Sequence, residues 1–101
     1  VNVAGGLRID EPAADLAVIA AIASSFRNIS IPSDFVIMGE VGLTGEVRGI
    51  SHIEKRINES QKLGFKTCII PRDNLKGLAR TSDIRLIAVD SVAEALEVIL
   101  L

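Results

Sequence analysis

Apolar and polar positions alternate between two periods along this chain, and the switches between them mark its elements. Val1 to Leu7 (VNVAGGL) reads as a strand interrupted by Gly5-Gly6, where a glycine pair suggests a bulge or a close backbone approach. Asp10-Glu11-Pro12 is a helix-start signal, with a carboxylate cap followed by a proline whose missing N–H costs nothing in a first turn. The helix it opens reaches about Phe26 and is apolar nearly all round, with Leu16, Val18, Ile19, Ile22 and Phe26 facing several directions. Such a helix needs cover on more than one side. Ile31 to Asp34 is a loop, Phe35 to Val41 a strand, and Leu43 to Val47 a tight turn into another strand.

Ser51-His52-Ile53-Glu54 has the spacing of a capping box, and the helix it predicts turns Ile53, Ile57 and Leu63 inward and ends at Gly64. Lys66 to Ile70 is a buried-type strand stopped by Pro71, and a short helix is expected near Asn74–Ala79. Ile84 to Val89 forms the last strand, and a second capping box, Ser91-Val92-Ala93-Glu94, starts a helix that runs to the terminus. The order is β-α-β-β-α-β-(α)-β-α, an α/β (α+β) domain with helices packed on a mixed β-sheet.

Composition sharpens this picture. Of 101 residues, 49% are hydrophobic but only 3% aromatic, so the core is aliphatic, which suits helices on a Val/Ile-rich sheet better than a sandwich. The 11 Lys and Arg against 13 Asp and Glu give a net charge of −2, which argues against strong phosphate binding by the chain as a whole and leaves room for a local basic patch. One cysteine, Cys68, excludes an intramolecular disulfide and a thiolate metal cluster, and points to a reducing, cytoplasmic setting. The longest apolar segment, Leu16 to Ala23, is too short to span a bilayer, and no membrane association is expected. The chain starts on Val1 with no lead-in before its first strand, as a piece of a longer protein would.

Common catalytic constellations are sparse. Gly5-Gly6 lacks the Gly-Lys-Ser/Thr ending of a P-loop, and Gly39, Gly42 and Gly45 alternate with Glu40 and Glu46, which suits strand and turn better than an anion cradle. His52, the only histidine, sits at a helix start, and Cys68 lies in an apolar strand; both positions have ordinary structural readings. Ser51 and Lys55 stand four apart, but capping already accounts for Ser51. Candidates for phosphate contact are Arg48, Lys55, Arg56 and Lys62, of which Lys55 and Lys62 share a helix face; with Glu54 and Glu59 interleaved, the same residues also read as a solvated surface.

Taken together, VNVAGGLRIDEPAADLAVIAAIASS, GEVGLTGEVRGI and LGFKTCIIPRDN resemble the Lon-protease fold over at least Val1 to Asn74. In that family a Gly-Pro-Ser-Ala-Gly turn supplies a serine nucleophile and a lysine on the later helix acts as its base. The resemblance lays the serine position on Ala13, the lysine position on Arg56, and a hydroxyl that precedes the Gly-Glu pair on Met38. Ala13 has no oxygen to attack with, a guanidinium stays protonated, and Met38 orients nothing by hydrogen bonding. Lys55 points about 100° away around the helix and has nothing to activate. The implied domain is non-catalytic.

The Glu-Pro-Ala-Ala-Asp turn after Val-Asn-Val-Ala-Gly-Gly, with FVIMGEVGLTG and Leu63-Gly64-Phe65-Lys66, is similar to the C-terminal Lon-like domain of the RadA (Sms) family of bacterial DNA-repair proteins. That resemblance implies upstream zinc-finger and RecA-like ATPase domains, which would hold zinc, ATP and magnesium, and a first set of Lon-like strands ahead of Val1. It further implies a hexameric, DNA-dependent ATPase that promotes branch migration, in which residues 1–101 help assemble the ring and contact DNA. No cofactor is expected in the chain itself. A protein-interaction scaffold without DNA contact is the alternative; an active Ser-Lys peptidase is opposed by three side chains. The apolar first helix also implies self-association, or packing on an upstream segment.

Overall fold

The computed structural model describes residues 2–3, 7–8, 11–79 and 83–101. Its centre is a three-stranded parallel sheet in the order β3-β6-β7, formed by β3 (Phe35–Ile37), β6 (Thr67–Pro71) and β7 (Arg85–Val89). Two antiparallel hairpins accompany it: β1 (Asn2–Val3) with β2 (Leu7–Arg8), and β4 (Glu40–Val41) with β5 (Val47–Arg48). The helices are α1 (Asp15–Arg27), α2 (Ile53–Lys62) and α3 (Val92–Ile99). The expected α/β class is therefore correct, with parallel and antiparallel pairings in one domain.

β6 is the middle strand and all five of its residues are buried, which is why TCIIP reads as an unbroken apolar run. Side chains alternate across it. Ile69 joins Leu16, Ala20, Val47, Val89, Ala95 and Ile99 in a core shared with α1 and α3. Cys68 and Ile70 face the other way, toward Met38, Ile57 and Ile84, where α2 supplies the cover. Pro71 closes the strand as its last residue, where a missing N–H is tolerated.

Several local expectations change. Asn2 lies opposite Arg8 and Val3 opposite Leu7, so the first segment doubles back as a hairpin instead of running as one interrupted strand. Gly5, Gly6 and Asp10, the expected bulge and the expected cap, lie outside the described residues. The stretch Phe35 to Val41 splits at Met38-Gly39, because Gly39 leaves the sheet to donate to the Ala13 carbonyl at 2.9 Å and accept from the Leu16 N–H at 3.0 Å. A side chain at Gly39 would put its Cβ 2.9 Å from Val47 Cγ1, so only glycine fits this crossing.

The first capping box does not form. Helix α2 is preceded by His52 in the left-handed region (φ 59°, ψ 37°), and no side chain caps it. A capping serine must itself be extended next to the first turn; Ser51 stands one residue too early. The second box does form: Ser91 is extended, its hydroxyl accepts from the Glu94 N–H at 3.1 Å, and Glu94 reaches back to the Asp90 N–H at 2.7 Å. Leu63, expected inward, follows the end of α2 and is exposed. The short helix appears earlier than expected, as a 3-10 turn over Arg72–Leu75, and the Asn74 amide ties that turn to the Ile50 N–H and C=O, both at 2.9 Å.

Helix α1 begins with a 3-10 turn, Pro12–Ala14, and ends on Asn28, which takes the left-handed conformation that asparagine tolerates. Its inner face buries Leu16 and Ala20, whereas Ile22 and Phe26 stand 64% and 91% exposed. The cover expected on several sides of this helix is thus provided here on one. Among the described residues no helix is long and apolar enough to cross a membrane.

Candidate functional site

A cleft of about 540 Å³ runs beside β3, one of the two edge strands of the parallel sheet. Ala13, Ala14 and Ala17 line it from the start of α1, and Val36, Ile37 and Met38 from β3 and the residue after it. His52, Lys55, Arg56, Glu59 and Ser60 form the α2 side, with Glu11 at the turn before α1. One wall is therefore apolar and small, the other charged. Three anchors hold the apolar wall: the two Gly39 hydrogen bonds, and Asp15, whose carboxylate accepts from the Val41 N–H at 3.1 Å.

The structure brings Ala13, Met38 and Arg56 to this one cleft, although they are far apart in the chain. Ala13 and Met38 are buried, at 6% and 7% exposure. The Arg56 guanidinium pairs through Nη2 with the Glu11 carboxylate, and its Nε donates to the Ser51 carbonyl at 2.8 Å. Arg56 thereby joins three segments: the turn before α1, the loop before α2, and α2 itself. Glu11 entered the sequence reading only as part of the Asp10-Glu11-Pro12 helix start; its carboxylate reaches across to Arg56. No local sequence signal marks this pair, since both members look like ordinary surface charges when read in place.

Ser60 is the hydroxyl residue of the cleft wall. It is buried, and its Oγ donates to the Arg56 carbonyl one turn back at 2.8 Å, an intrahelical bond that occupies its proton. Ser51 does not line the cleft. Lys55, placed by helix geometry on a different face from Arg56, still reaches the same cleft at its rim. Burial pushes the free thiol of Cys68 up to about 12, so it is a protonated core residue. Among the described residues there is no group of three or more His, Cys, Asp or Glu that could hold a metal ion.

The four candidate phosphate ligands divide into three environments. Arg48 sits on the β4–β5 hairpin and is engaged by Glu46 at 2.9 Å and Glu40 at 3.7 Å. Hydrogen bonds from Thr44, from the Glu46 backbone and from Arg48 hold the Glu46 carboxyl down at about 2. Arg56 is engaged by Glu11. Lys55 and Lys62 have no carboxylate at ion-pair distance among the described residues. They line a shallow groove along α2 together with Ile53, Asn58 and two carboxylates, Glu54 and Glu59, and this groove meets the cleft at His52, Lys55 and Glu59.

Comparison with known proteins places this geometry in a family. The model of the Lon protease (S16) C-terminal proteolytic domain matches residues 3–101. The chain belongs to that family. It is 56% identical over 100 residues to a DNA repair protein RadA of Halalkalibacterium halodurans, covering 99% of this chain and 22% of that protein. It is 53% identical over 96 residues to a DNA repair protein RadA of Bacillus subtilis, covering 95% and 21%, and 45% identical over 94 residues to that of Streptococcus pneumoniae, covering 93% and 22%. The chain spans about a fifth of the length of the curated relatives it matches. The resemblance to the Lon fold and to RadA proteins is thus established over nearly the whole of this Lon-family domain.

Proposed function

We propose that this Lon-family domain is non-proteolytic and serves as the assembly and DNA-contact module of a RadA-type DNA-repair ATPase. The observation that carries the first half is the cleft. Ala13, Met38 and Arg56 stand around it, no hydroxyl is presented to a base, and the arginine is spent on a carboxylate and a backbone carbonyl. A Ser-Lys mechanism needs a deprotonatable amine within reach of a nucleophilic oxygen. Here a permanent cation crosslinks the walls instead.

The second half is supported by the relatives, which carry the name DNA repair protein RadA. ATP hydrolysis, branch migration and a hexameric ring would belong to the whole protein, with ATP, magnesium and zinc bound outside this chain. Lys55 and Lys62 on the α2 groove are the phosphate contacts we assign, with Arg56 behind them. Arg48, held by two carboxylates, is the weakest of the four.

Turnover of a panel of fluorogenic peptides and of unfolded casein tests the first half. No hydrolysis above buffer is expected, and hydrolysis abolished by Ser60→Ala would overturn it. Retention of a labelled oligonucleotide as salt is raised tests the second; a log–log slope near zero would remove the DNA contact. The exposed Ile22 and Phe26 on α1 favour a second reading, a protein-interaction scaffold without DNA contact. A zero salt slope together with concentration-dependent self-association would select it.

A further inference from the structure

We propose that Glu11 is an internal occupant of an anion site on Arg56, a latch that a nucleic-acid phosphate displaces when a strand lies along α2. This rests on the DNA-contact reading above. Three features of the geometry carry it. The Nε donor of Arg56 is fixed by the Ser51 carbonyl at 2.8 Å, so the guanidinium stays aimed at the cleft whether or not Glu11 is bound. Glu11 reaches it with one oxygen on Nη2, from a side chain that is 54% exposed and precedes the 3-10 turn. An exposed pair of that kind is weak, and its carboxylate exchanges readily for another anion. A phosphate can engage a guanidinium through two parallel hydrogen bonds where Glu11 contributes one contact.

The path to the site is also present. Lys55 borders both the α2 groove, which Lys62 also lines, and the cleft, which Arg56 also lines. A phosphodiester backbone that follows Lys62 and Lys55 therefore arrives at the guanidinium that Glu11 covers. The latch accounts for a cation sitting in a cleft of this chain while the overall charge is −2: the site is masked at rest. It also limits loose association with other anions, because each must first compete with a tethered carboxylate.

The test is binding of a single-stranded oligothymidine to the full 101-residue chain across a salt series, for the native sequence, Glu11→Gln, Glu11→Gln/Arg56→Gln and Lys55→Gln/Lys62→Gln. Glu11→Gln removes a charge at an exposed position and keeps the fold. It is expected to raise affinity by about two- to five-fold and to steepen the salt slope by about 0.7, the increment for one added phosphate on a single strand. Adding Arg56→Gln is expected to cancel both gains. Lys55→Gln/Lys62→Gln reports on the underlying reading: if it leaves the slope unchanged, the α2 contact fails and the latch with it. If that pair matters but Glu11→Gln binds as the native chain does, the latch alone is overturned. A gain for an acidic peptide and none for the oligonucleotide would assign the site to a protein carboxylate and likewise overturn it. The Arg56 Nε–H resonance gives an independent readout, since it should move on addition of the oligonucleotide, and more so in Glu11→Gln.

Discussion

Arg56→Lys separates a structural arginine from a lost catalytic lysine, because it installs the amine that a Ser-Lys mechanism would use. In the native chain the guanidinium makes two contacts in different directions, to the Glu11 carboxylate and to the Ser51 carbonyl. A lysine reaches one of them but lacks the fork needed for both. The ion pair is partly exposed, so its loss costs only about 0.2–1 kcal/mol. The bond to Ser51 is charge-assisted but the Arg56 side chain is 28% exposed, so losing it costs about 1–1.5 kcal/mol, between a typical hydrogen bond and the lower end of the range for charged ones. A lysine that keeps the ion pair loses the Ser51 bond, so Arg56→Lys is expected to destabilise by about 1–1.5 kcal/mol, a melting shift of roughly 4–12 °C in a domain of this size. Glu11→Gln is expected to lose less than about 1 kcal/mol, and the double change should be less than additive because the two share one contact. Urea titration by circular dichroism, with all variants compared at equal slope, measures this. An Arg56→Lys midpoint equal to the native one would refute the strut, and peptidase activity in that variant would refute the absence of a nucleophile from the cleft.

The two capping sequences give a matched pair: Ser91→Ala should cost about 1 kcal/mol, whereas Ser51→Ala, whose hydroxyl caps nothing, should be within a few tenths, both read by urea denaturation. Glu46 has a depressed carboxyl, so its contribution is complete above about pH 4.5 and disappears as the pH falls toward about 2. The stability difference between the native chain and Glu46→Gln should shrink over that window, and a difference that is flat with pH would contradict the Thr44 and Arg48 contacts. Cys68, a buried thiol pushed up to about 12, should resist iodoacetamide at pH 8 in the folded chain and react promptly in urea; equal rates in both would contradict its burial.

What the sequence conveyed depended on how local the determining physics was. TCIIP announced the central strand because burial on both faces leaves no polar position to break the run. Ser91 and Glu94 announced α3 because their contacts are closed within one turn. Ser51 and Glu54 have the same spacing and misled, since spacing does not encode the left-handed backbone of His52. The division of Phe35 to Val41 at Gly39 was hidden because its cause is a pair of hydrogen bonds to Ala13 and Leu16, far away in the chain. The site followed the same rule. Ala13 and Met38 were singled out only through family resemblance, Arg56 also as a candidate phosphate contact, and their convergence on one cleft is a tertiary fact. Glu11 was read only as part of a helix start, because a carboxylate there has a sufficient local explanation and its partner lies on another helix.

The central claim, a Lon-type cleft without a nucleophile, is tested most directly by intact-mass spectrometry of the folded chain after exposure to serine-reactive fluorophosphonate and peptide β-lactone probes. The native mass should persist, with no adduct that is lost on prior unfolding. A stoichiometric, fold-dependent adduct on a serine, above all on Ser60 in the cleft wall, would contradict it.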